Sequence, residues 1–137
     1  MKFLLVIAAF PTILNALTLE EVKTRADISH KKCFETTNAN EDTVAKIRSH
    51  DFSEDDPVVR EQILCYSQEV GYMNSNGEMN LEFMRRRASP YINFAEIDND
   101  RKFSECTRPK ASDVPVDLFI TRLLKCLYTE FPDVLLG

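Results

Sequence analysis

The chain has 137 residues, a formal charge of −5, four cysteines and only three glycines. That length is one domain with room for a sizeable core, and the acidic balance disfavours nucleic acid and anionic membrane surfaces, both of which select basic patches. So few glycines leave little scope for backbone phosphate cradles, and the GxSxG and HExxH motifs of hydrolytic enzymes are absent.

Lys2 precedes the apolar run FLLVIAAF and then PTILNA. A basic start, a short apolar stretch and a small residue at Ala16 predict a secretory signal peptide over 1–16, too short to span a bilayer as a helix. Residues 17–137 are then a single domain, with no membrane insertion. Thr18-Leu19-Glu20-Glu21 is a capping box and opens a helix running to about Cys33–Phe34. A shorter helix is expected over 41–49, after the loop TTNAN.

Asp56-Pro57 predicts an N-cap followed by proline at the first helical position. The helix it starts carries Val59, Ile63, Tyr66 and Val70 as an apolar stripe of helical period, and ends near Gly71. MNSNG (73–77) fails the calcium-loop pattern, because Tyr72 and Phe83 would fall on its first and twelfth positions, and it reads as a turn. A fourth helix is predicted over about 79–88 and a fifth over about 91–107. The run Arg85-Arg86-Arg87 points in three directions on a helix and reads as a solvated face. The last helix starts at Asp113 as N-cap, with Pro115 inside its first turn. Its apolar set, Val116, Phe119, Ile120, Leu123, Leu124 and Leu127, is broader than one stripe and implies cover on more than one side. The final segment FPDVLLG (131–137) is apolar enough to fold back over the core or a cavity rather than fray.

An exported chain meets an oxidising compartment, so Cys33, Cys65, Cys106 and Cys126 should pair, and counting alone leaves three connectivities open. No CxxC exists to favour a metal, and no cofactor is implied. His30 and His50 sit near no cysteine pair and read as surface histidines.

The spacings Cys33-x31-Cys65-x40-Cys106-x19-Cys126 resemble those of the insect odorant-binding protein family, the pheromone-binding and general odorant-binding proteins. That family has six cysteines. On this sequence its second would fall on Glu61 and its fifth on Asp117, the pair absent from the Minus-C subgroup. Positions 61 and 65 lie about 40° apart on a helix, and 117 and 126 lie on opposite sides of theirs, which suits a last helix sandwiched between two others. The resemblance implies an all-α fold, a compact bundle of about six helices around an apolar cavity, with bridges Cys33–Cys65 and Cys106–Cys126. It also implies a secreted, extracellular carrier and no enzyme activity.

The expected partner is a small hydrophobic molecule, such as an odorant, pheromone or other semiochemical, bound reversibly in the cavity for transport through aqueous fluid. A chemosensory receptor is a second expected partner, and the expected state is a monomer or weak homodimer. Minus-C members are not confined to antennae, so olfaction is a narrower expectation than carriage. Ligand-lining candidates from the helices and final segment that line the family's cavity are Phe52, Met73, Met84, Tyr91, Phe94, Phe119, Leu123 and Phe131. Tyr91 or Tyr128 could offer a hydroxyl to a ligand. Packing in the core is the plainer role for any one of them. A secreted helical signalling ligand, acting through its surface, is the second reading. Glu61 and Asp117 either face each other, two carboxylates where a disulfide would fit, or turn to water and nearby cations.

Overall fold

Local capping chemistry sets most of the helix starts. The computed structural model describes residues 18–137, so the expected leader and its cleavage point lie outside the described residues. Helix α1 (Leu19–Cys33) begins where Thr18 Oγ1 accepts from Glu21 N at 3.1 Å. Helix α2 (Glu41–Arg48) follows a reciprocal capping box between Asn40 and Thr43. Helix α3 (Pro57–Val70) starts under Asp56, which accepts from Val58 N at 3.0 Å, and stops at Gly71. Gly71 has φ +95°, a left-handed conformation that glycine adopts without a Cβ penalty. Helices α4 (Leu81–Ala88), α5 (Ile97–Cys106) and α6 (Val116–Glu130) complete the order.

Three boundaries differ from the sequence expectation. The fourth helix starts at Leu81 rather than near 79, because Met79 pairs with Met73 in an isolated antiparallel bridge that closes the 74–78 turn. Residues 91–96, expected to be helical, form turns instead. Asn93 Oδ1 accepts from Ala95 N there, a local bond that competes with the helix ladder. The last helix starts at Val116 with Pro115, not Asp113, at its N-cap position. Proline drives the preceding residue out of helical geometry, so the helix cannot run through Val114.

Helix α3 is the centre of the bundle. It packs most extensively against α6, then against α1 and α2, while α6 also packs on α5. The expected breadth of the last helix is present: Ile120, Thr121, Leu123, Leu124, Leu127 and Tyr128 are all buried. Cys33–Cys65 ties α1 to α3 with Cα atoms 5.9 Å apart, and Cys106–Cys126 ties α5 to α6 at 5.5 Å. Both are the bridges that the resemblance implied. No third bridge spans α3 and α6. Glu61 is exposed, and Asp117 accepts from Arg60 Nε at 3.1 Å, so the carboxylates turn to water and to a cation rather than to each other.

Candidate functional site

Leu19, Val22 and Ala26 recur at spacings of three and four, which places them on one face of α1. That face forms one wall of a cavity of about 190 Å³. Leu135 and Leu136 of the final segment close the opposite side. The segment does fold inwards: Val134 and Leu136 are buried in the core, and Leu135 stays half-open to solvent. Tyr66 from α3, Arg48 from the end of α2, and Arg87 and Tyr91 from the end of α4 and the turn after it supply the polar part of the lining.

The final segment is held by a hydrogen-bond chain through the centre of the molecule. His30 is buried, contrary to the expectation of a surface residue, because Ala26, His30 and Cys33 make up the inward face of α1. Gln62 Nε2 donates to the His30 carbonyl at 3.1 Å and lies 2.9 Å from His30 Nδ1. The carbonyl can only accept, so the amide nitrogen faces the histidine and Nδ1 is the acceptor. That leaves the proton on Nε2, which donates to the Gly137 oxygen at 2.7 Å. Gln62 Oε1 in turn accepts from Thr37 Oγ1 at 2.9 Å.

Burial is the main cause that pulls the His30 pKa down to about 4; the Gly137 oxygen opposes it, Arg48 adds to it and Asp27 opposes it. The ring is therefore neutral near pH 7. It stacks on Tyr66 at 3.9 Å, and burial pushes the Tyr66 phenol up to about 12. Arg48 adds a second hold, donating to Gly137 O at 3.2 Å and pairing with Asp27 at 2.5 Å. His50 also departs from the surface expectation: it is half-buried, has φ +63° and stacks on Tyr128 at 3.7 Å.

Of the residues expected to line a ligand cavity, only Tyr91 is on this wall. Phe52, Met73, Met84 and Leu123 are buried in the core cluster, where their side chains fill space between helices. Phe119 and Phe131 pack partly buried against that cluster. Phe94 meets Phe103 edge-on at 5.1 Å beneath Arg85. Phe119 and Leu123 share a separate, more open depression beside the Cys106–Cys126 bridge. Tyr128 is buried against Gly137 rather than in the cavity. The stripe at 19, 22 and 26 and the apolar final segment were the signals that could have located the cavity.

The arginine run is not one solvated face. Arg85 pairs with Asp100, Arg86 is exposed, and Arg87 turns to the cavity. Among the described residues no cluster of histidine, cysteine and carboxylate side chains could hold a metal, and no helix is long and apolar enough to cross a membrane. What the arrangement offers is an apolar slot with a few polar groups in its lining, the form of a small-molecule binding site.

A protein-family model described as "PBP/GOBP family" matches residues 15–130. Searches of curated proteins and of solved structures returned no match.

Proposed function

We infer the function from one premise: the chain belongs to the PBP/GOBP family. Membership implies a binding protein for small hydrophobic ligands rather than an enzyme. Our reading of this chain is a secreted carrier that takes a small apolar molecule reversibly into the cavity between α1 and the final segment. No bond of the ligand is made or broken.

The observation that carries this reading is the cavity itself, walled by Leu19, Val22, Ala26, Leu135 and Leu136. Two further features support it. Both disulfides suit an oxidising compartment, and four cysteines fit the Minus-C subgroup. The volume suits a small molecule: about 150 Å³ of apolar cavity takes one benzene, so about 190 Å³ takes roughly eight non-hydrogen atoms. The residues first expected to line a cavity are replaced in this reading by the α1 wall, Tyr66, Tyr91 and the final segment.

Calorimetric titration with six-carbon alcohols, aldehydes and acids tests it. At least one should bind saturably, one molecule per chain, at micromolar concentration. Val22→Phe, which fills the slot from its half-exposed wall, should weaken that binding at least tenfold without unfolding the protein. Absence of any saturable binding, or equal binding by a folded Val22→Phe variant, overturns the reading.

A further inference from the structure

We propose that the cavity selects a short-chain monocarboxylate over neutral ligands of equal length, with Arg87 as the residue that receives the carboxylate. The proposal rests on the carrier reading above and adds the ligand's charge, its length and the residue that recognises it.

The charges around the cavity are not equally committed. Arg48 is satisfied by Asp27 at 2.5 Å and by the Gly137 oxygen at 3.2 Å. Arg87 is half-buried, lines the slot and has no carboxylate within 4.0 Å among the described residues. Its guanidinium lies 5.8 Å from the centre of the Phe83 ring, a contact that holds the side chain without neutralising it. Lys23, the other cation on the lining without such a partner, is exposed, so water screens it. A partly desolvated guanidinium without an anion is costly alone, and its planar fork matches a carboxylate with two parallel bonds.

A neighbouring side chain bears on the same arginine. The buried hydroxyl of Tyr72 lies beside the Arg87 guanidinium, a contact that helps to hold the arginine without neutralising it. Tyr72 lies against Tyr66, with ring centres 6.3 Å apart, and close to Arg87 and Tyr91, three residues that line the slot. The cavity lining therefore combines one half-buried cation without an anion, two phenols (Tyr66 and Tyr91) and an apolar wall. A guanidinium can only donate, so the ligand group that meets Arg87 must accept.

The room available sets the length. Roughly eight non-hydrogen atoms is the size of hexanoate, with six carbons and two oxygens, on the benzene scale used above. Longer chains can extend past Leu19 and Leu135, which are 52 % and 42 % exposed and form an apolar mouth.

Hexanoate and hexanol titrated calorimetrically at pH 7.5 separate the cases. Hexanoate should bind at least about tenfold tighter, the usual scale of a hydrogen bond to a charged group. Arg87→Gln should abolish that preference, whereas Lys46→Gln, an exposed lysine away from the cavity, should shift the hexanoate affinity by less than about threefold. With carboxyl-labelled hexanoate, the bound acid should titrate at lower pH than the free acid in wild-type protein, a readout that needs no variant. Equal affinity for acid and alcohol, a preference that survives Arg87→Gln, or a bound acid that titrates at or above its free value overturns the proposal and leaves the carrier reading standing. No binding by any six-carbon ligand overturns both.

Discussion

Helix α3 is held differently on its two sides. Towards α6 the contact is apolar and extensive, with Val59 and Ile63 in one buried cluster with Leu123, Leu124 and Leu127. Towards α1 and the final segment it is directional: Gln62 bonds His30, His30 bonds Gly137, and Cys65 is bridged to Cys33. The cavity lies on the second side only. Close packing fills the side where shape alone holds the helices. A side held by a few bonds and a bridge tolerates space between its walls. No disulfide joins α3 to α6, and dense packing is what joins those helices.

The largest break in this contrast is expected from the bridge. Replacing Cys33 and Cys65 together by serine should cost roughly 4 kcal/mol, the chain-entropy value for a loop of this length, read as a lower urea midpoint. Hexanoate binding should fall with it, because α1 is a cavity wall. Next comes the apolar side. Leu124→Ala should cost about 3 kcal/mol and leave ligand affinity within about twofold, since Leu124 is 1 % exposed and is not on the cavity wall. A Leu124→Ala variant that loses binding while folded would show that the two sides are not separable.

The latch should add a pH dependence that the apolar side cannot. His30 has a pKa of about 4 when folded, below the ordinary 6.5, because burial disfavours its charged form. Between those values the unfolded chain binds more protons than the folded one, so stability is full above about pH 6.5 and declines as pH falls towards 4. The groups facing the ring are Gln62 and Tyr66 from α3, Arg48 from α2, Asp27 on α1 and the Gly137 oxygen. The loss from pH 7 to pH 4 should be about 2–3 kcal/mol. His30→Gln should remove that share of the decline in urea midpoint while the carboxylates' share remains. An identical pH profile in the variant would place the pH dependence elsewhere.

The fold was legible wherever a signal was local. Thr18 and Asp56 announce helix starts because a cap bonds residues two or three positions away, and Gly71 announces a stop because only glycine adopts its positive φ freely. The 91–96 turn was missed because Asn93 outcompetes the helix through a bond that hydrophobic spacing does not register. The site was largely illegible. Its far wall is set by a contact between residues 107 positions apart, His30 to Gly137, which no periodicity reports. His30 itself was readable. Its neighbours Ser29, Lys31 and Lys32 are polar, yet the stripe Ala26–His30–Cys33 has helical period and ends on a bridged cysteine. Of the candidate phenylalanines, Phe52 fills the core, as large aromatics do, and Phe94, Phe119 and Phe131 pack partly buried against it.

The smallest effect concerns an ion pair across the apolar side. Arg60 and Asp117 link α3 to α6 close to where a third disulfide would lie, and their side chains are 25 % and 27 % exposed. Partly solvated pairs contribute little, because each charge gives up hydration to meet the other. Arg60 also keeps a bond to the Glu54 carbonyl at 3.0 Å when the carboxylate is removed. Asp117→Asn, which preserves shape, should therefore cost no more than about 1 kcal/mol and leave ligand affinity unchanged. If its urea midpoint fell as far as that of Leu124→Ala, a charge pair and not packing would be joining α3 to α6, and the two sides of α3 would differ only in which polar contacts they use.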